Sequence, residues 1–151
     1  MKLTLYTDYS LRVLIYLAAK PKDELSTIKE IADAYQISKN HLMKVTYELG
    51  KMGTIETIRG RYGGIKLAKE PADINIGKLV RKTEEDFELV ECFGQHNSCV
   101  ITPVCGLKHA LAKALNAYLS VLEGYTLADL VSNPMDYRML FQEQQHREID
   151  R

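Results

Sequence analysis

A chain of 151 residues with 46% hydrophobic content can bury a core of its own without disulfide support. No stretch reaches the roughly 18 consecutive apolar residues of a membrane span, and the opening MKLTLYTDYS lacks the apolar core of a secretory signal. A cytoplasmic protein with no membrane partner is expected. The zero net charge hides an asymmetry: residues 1–70 carry twelve Lys and Arg against eight Asp and Glu, and residues 71–151 carry eight against twelve. A basic first half suits a nucleic-acid module, and an acidic second half does not.

In chain order, the apolar spacing predicts a first helix over 9–19, with Leu11, Leu14, Ile15 and Ala18 on one face. Asp8 or Thr7 is its expected cap, and Pro21 lies beyond its end. Thr27 with Glu30 has the spacing of a capping box opening a second helix, whose inner face is Ile28, Ile31 and Ala32. After a break at Tyr35-Gln36-Ile37, Ser38 is placed to cap a third helix bearing Leu42, Val45, Leu49 and Met52, which Gly53 ends. Helix, tight turn and helix make a helix-turn-helix. Two short strand signals, 54–58 and 64–67, flank a glycine-rich tip with Arg59 and Arg61, so a β wing is expected. The fold class is therefore mainly α with a small β wing, residues 1–70 forming a winged helix-turn-helix DNA-binding domain.

Beyond Pro71 the pattern predicts a short helix over 76–83, an acidic stretch at Glu84-Glu85-Asp86, and a cysteine loop over 92–105. Thr102 and Pro103 suit the N-cap and N1 positions of a long helix ended by Gly124. Its stripe of Leu107, Leu111, Ala114, Tyr118 and Leu122 is long enough to pack against a second copy, so residues 71–131 are expected to hold the cysteine loop and a dimerisation helix of a homodimer. Residues 132–151 are a polar tail whose order the sequence leaves open.

Two groups of residues carry chemistry. Ser38, Lys39, Asn40, His41 and Lys44 lie where a recognition helix meets base edges and phosphates. Arg59 and Arg61 on the wing suit a narrow minor groove, so the expected partner is a double-stranded DNA operator. Cys92, Cys99 and Cys105 are all the cysteines of the chain. Their gaps of six and five residues are too long for the knuckle of a typical zinc site and suit ligands wrapped around a larger body. Soft thiolates select zinc, copper(I) or iron–sulfur clusters. A cubane needs a fourth ligand, and His96 would complete a Cys3His zinc site instead. No nucleophile elbow, phosphate-binding loop or zinc-protease helix is present, so an enzyme is not expected.

The segments Lys2-Leu3-Thr4, Tyr6-Thr7-Asp8-Tyr9-Ser10-Leu11-Arg12, the run 38–45, Arg59-Gly60-Arg61 before Gly63-Gly64, and Asp73-Ile74-Asn75-Ile76-Gly77 resemble a family of winged-helix iron–sulfur repressors. Val90-Glu91-Cys92-Phe93 and Cys99-x5-Cys105-Gly106-Leu107 resemble its nitric-oxide-sensing branch. That resemblance implies a homodimeric repressor of palindromic operators, with one cluster per subunit, [4Fe–4S] or alternatively [2Fe–2S]. It implies that nitric oxide damages the cluster and releases the DNA. It also implies a fourth ligand, Asp8 of the partner subunit, although helix capping is the plainer role for that residue. Arg12 and Glu85 match positions of the same branch and are expected to pair and relay the cluster's state. A family member governing cluster biogenesis or iron supply is the alternative. From a different class, a zinc-stabilised interaction module without DNA binding also fits the cysteines.

Overall fold

A computed structural model of the chain describes residues 2–149. The first helix, α1 (Leu5–Ala19), begins four residues earlier than the apolar spacing predicts, because Thr4 is its N-cap and accepts a hydrogen bond from the Thr7 amide. This corrects the expected caps: Thr7 and Asp8 are helical, with Asp8 in the first turn. Apolar periodicity missed the extra turn because its buried positions are polar. Thr7 and Ser10 are fully buried, Thr7 donating to Thr83 Oγ1 at 2.9 Å and Ser10 to the Tyr6 carbonyl at 2.7 Å.

In α2 (Ile28–Tyr35) the capping box forms as expected: the Glu30 amide donates to Thr27 Oγ1, and the Thr27 amide to the Glu30 carboxylate. Gln36 in the left-handed region (φ 56°) then turns the chain, and the Ile37 amide closes on the Ala32 carbonyl. That places α3 (Lys39–Lys51) across α2 and α1, and Gly53 at φ 67° ends it. The wing is the antiparallel pair β1 (Ile55–Ile58) and β2 (Gly64–Leu67), in register Ile55↔Leu67. Ser26 adds a single bridge to Ile65, tying the wing to the start of α2. Gly64 allows that approach, since a Cβ there would stand 2.8 Å from the Ser26 carbonyl oxygen.

Then follow α4 (Ile76–Thr83), α5 (Gly106–Glu123), α6 (Leu127–Leu130) and α7 (Pro134–Ile149). The long helix starts later than expected. Thr102 and Pro103 form a separate 3₁₀ turn, and Cys105 takes the N-cap position. Thr102 does not cap because its hydroxyl donates to the Cys99 carbonyl inside the loop. The tail that looked polar and undecided is helical and docks on the head. Phe141 of α7 packs between Tyr16 and Tyr35, with ring centroids 4.8 and 5.3 Å away, and Arg138 donates to the Ala19 carbonyl at the end of α1.

The core gathers Val13, Leu14, Ile31, Leu42, Leu49, Val80 and Leu127, all closed off from solvent. In contrast, α5 buries only Leu119 in the protomer, half-buries Leu111, Leu115, Tyr118 and Leu122, and exposes Leu107 and Val121. Among the described residues no helix is long and apolar enough to cross a membrane.

Candidate functional site

The head presents α3 outward. Leu42, Val45 and Leu49 anchor its inner side, and Ser38, Lys39, Asn40, His41, Lys44 and Tyr47 are exposed on the other. Ser38 holds the N-cap position, but its side chain makes no capping bond. The first-turn amides therefore point out at the positive end of a 13-residue helix, the chemistry of a phosphate contact. On the wing, Gly60 at φ 117° makes the tip turn, and Gly63 packs where a Cβ would strike the Ile58 carbonyl. Arg59 and Arg61 are exposed there, with the Arg61 guanidinium 5.6 Å from the ring centre of Tyr62. Each of the sequence-predicted DNA contacts, Ser38, Lys39, Asn40, His41 and Lys44 on α3 and Arg59 and Arg61 on the wing, is exposed.

The cysteine loop is held by polar bonds more than by burial. Glu91 accepts from both the amide and the hydroxyl of Ser98 at 2.7 Å, and these bonds, side chain first, hold its carboxyl below the usual range. Asn97 accepts from the Cys99 amide and donates to Thr102, which donates back to the Cys99 carbonyl. Sequence spacing alone could not reveal this clamp of Glu91, Asn97, Ser98 and Thr102. Cys92 and Cys105 are half-buried and Cys99 is exposed, each a free thiol. Around them Val100, Ile101, Val104 and Leu107 are exposed apolar residues.

Within one protomer, and among the described residues, no three His, Cys, Asp or Glu side chains converge on a point where a metal ion could sit, His96 included. The loop nevertheless fits a thiophilic group by donor chemistry: three unbonded sulfurs, one at the N-cap of an 18-residue helix, where negative charge is favoured.

Asp8 and Arg12 are brought together, but Glu85 is not part of the pair. Arg12 Nη2 lies 2.9 Å and Nε 3.1 Å from the two Asp8 carboxylate oxygens, in a bidentate i,i+4 contact. The expected Arg12–Glu85 pair is therefore not formed within the protomer, where Arg12 holds Asp8 one helical turn away. It is Glu84, noted in the sequence only as part of an acidic stretch, that joins the stem of the cysteine loop to α1, accepting from the Thr4 amide and hydroxyl at 2.9 Å. Glu85 lines a cleft beside it with Leu3, Phe87, Leu115 and Tyr118.

With a winged head and a cysteine-bearing loop in place, comparison with known proteins is informative. Residues 3–133 match the Rrf2 family, described as iron-dependent transcriptional regulators. The chain belongs to the Rrf2 family. It is 66% identical over 141 residues to the HTH-type transcriptional regulator NsrR of Bacillus subtilis, covering 93% of this chain and 97% of the relative. Against NsrR of Bacillus licheniformis the identity is 64%, covering 93% and 99%. Among solved structures, CymR, the global cysteine regulator of B. subtilis, superposes with a TM-score of 0.71 at 27% identity, covering 87% of this chain and 97% of that one. IscR of T. potens gives 0.69 at 26%, covering 87% of each. The Rrf2 chain is thus a winged-helix transcriptional regulator and not an enzyme, and the reading as an interaction module without DNA binding is set aside.

Proposed function

We propose that this Rrf2 regulator is a cytoplasmic homodimeric repressor that senses nitric oxide through one iron–sulfur cluster per subunit, [4Fe–4S] in form. The observation that carries the reading is the cysteine loop: three unbonded thiols on one exposed loop, whose stem is hydrogen-bonded to the first helix of the reading head. The high identity to relatives named NsrR supports the choice of signal. Dimerisation through α5 is supported by the apolar residues that this helix leaves exposed or half-buried in one protomer.

In this reading Cys92, Cys99 and Cys105 hold the cluster as thiolates, and Asp8 of the partner subunit supplies the fourth, harder donor. When bound, the cluster supplies iron that reacts with nitric oxide. Asp8 suits its part because it sits in the first turn of α1 with its side chain only 38% exposed, and because its carboxylate has a ready alternative partner in Arg12. As a cluster ligand it would give up its contact with Arg12, and without the cluster it would keep it. Ser38, Lys39, Asn40, His41 and Lys44 enter the major groove, and Arg59 with Arg61 the adjacent minor groove. Arg12 and Glu85 remain a proposed pair that relays the state of the cluster to the reading head.

The test is native mass spectrometry of anaerobically purified protein. A dimer carrying four iron and four sulfide per subunit is expected, with loss of cluster mass and of binding to the operator on nitric oxide exposure. Colourless protein with stoichiometric zinc would overturn the reading. Each Cys→Ser change should abolish loading. Arg61→Ala should weaken DNA binding and lower the salt slope by about one phosphate equivalent.

A further inference from the structure

Arg12 stands at a crossing of the head. Its guanidinium, fixed by two bonds to Asp8, lies 5.9 Å from the ring centre of Tyr9 and 5.8 Å from that of Tyr35. Tyr9 follows Asp8 on α1, and its ring lies 6.2 Å from the ring of His41 at the start of α3. Tyr35 is the last residue of α2, and its hydroxyl donates to the Arg12 carbonyl at 2.9 Å. Its ring also meets Phe141 of α7 edge-on, at 74°. One ion pair on α1 is thus flanked by two aromatic arms, each ending on a different helix of the helix-turn-helix.

We infer that Tyr9 and Tyr35 are positioning residues that pass the state of the Asp8–Arg12 pair to both helices of the reading head, Tyr9 to the start of α3 and Tyr35 to the end of α2. The inference rests on the reading of α3 as the DNA-facing helix and of Asp8 as a residue that changes partner. An arginine held by a carboxylate on one side and by ring faces on the other has its position set jointly by both. Remove the carboxylate and the guanidinium is restrained only by the rings and water. Tyr9 moves with Asp8 because consecutive residues of a helix turn share one rigid backbone. Its contact with His41 then carries that movement to a helix whose N-terminus has no side-chain cap. Tyr35 acts through its bond to the α1 backbone, so its hydroxyl matters; Tyr9 acts through its ring, so its hydroxyl does not.

The two arms give separable tests that need neither cluster nor operator. Hydrogen exchange is measured on the full-length protein stripped of metal by chelation, for wild type, Asp8→Asn, Tyr9→Leu and the double variant. Amides from Leu42 onward report on α3, since Leu42 is the first to bond back, to the Ser38 carbonyl. Asp8→Asn is expected to speed exchange at 42–46 by about threefold, within the usual range for coupled networks, and to leave it unchanged when Tyr9 is already Leu. Tyr9→Phe should keep the coupling. Tyr35→Phe should cut the response of residues 33–37 while leaving that of 42–46. An Asp8→Asn effect at α3 of equal size with and without Tyr9, or no effect in either background, overturns the proposal. Should the leucine variant unfold, by circular dichroism, the decision falls to Tyr35→Phe: an unaltered response at 33–37 then overturns it. Since no DNA or cluster enters the measurement, failure here is distinct from failure of operator binding or of nitric oxide sensing, which gel retardation and native mass spectra read separately.

Discussion

In the reading head, Leu14, Ile31, Leu42 and Leu49 have no exposed surface, whereas in the cysteine loop Val100 is 90% and Val104 85% exposed. The head combines a closed apolar core with two side-chain helix caps, Thr4 and Thr27, and a left-handed turn at Gln36. The loop depends on one carboxylate and a ring of short polar side chains between Glu91 and Thr102. Burial of that kind is cooperative and hard to undo locally, while a few solvent-facing hydrogen bonds each contribute little. The proposed sensing role would use both kinds of structure, a loop open to local rearrangement beside a head that stays folded.

That contrast can be broken at points of decreasing force. Leu42→Ala, which empties a fully buried site under α3, should cost about 2–5 kcal/mol in urea unfolding; a loss well below that would mean α3 is not held by its packing. Gly77→Ala should cost roughly 1–3 kcal/mol, because a Cβ on α4 would stand 2.5 Å from the Glu123 amide nitrogen at the end of α5. An unchanged midpoint would show that this joint is loose. Thr27→Ala removes one half of the capping box and should cost about 0.5–2 kcal/mol. Smallest in global terms is Glu91→Ala. It should leave the unfolding midpoint where it was, raise exchange at the Ser98 amide, and lower the fraction of the proposed cluster retained on purification. If that change shifts global unfolding as Leu42→Ala does, head and loop are one cooperative unit and the contrast fails.

Much of the head was legible in the sequence because its signals are local. The Thr27–Glu30 box, Gly53 after α3, the arginine-bearing tip and the three anchors Leu42, Val45 and Leu49 all act within a few residues of themselves. The first turn of α1 was misplaced because Thr7 and Ser10 are buried polar residues, satisfied by Thr83 and by backbone that no window of sequence displays. The tail was left open for a related reason: Tyr137 and Phe141 are sparse in a charged stretch, and Phe141 finds its partners, Tyr16 and Tyr35, more than a hundred residues earlier. At the candidate site, the three cysteines and the exposed face of α3 could be named from residue type and spacing. The Glu84 tie to Thr4 and the clamp around Ser98 could not, since each depends on which of several nearby polar groups the fold brings within 3 Å. The Asp8–Arg12 pair has the local i,i+4 spacing but was hidden by placing the helix start after Asp8.

By itself, then, the sequence determined the helix-turn-helix, the wing and the presence of a cysteine-bearing loop, because capping, turn chemistry and apolar spacing are properties of short stretches of chain. Tertiary structure decided where those parts meet: that α7 braces the head, that the stem of the cysteine loop is bonded to the first turn of α1, and that Arg12 sits between two tyrosines from different helices. Except for Tyr9, three residues from Arg12 on the same helix, these partners lie far apart in sequence and are chosen by the packing of the whole domain, which no local pattern encodes.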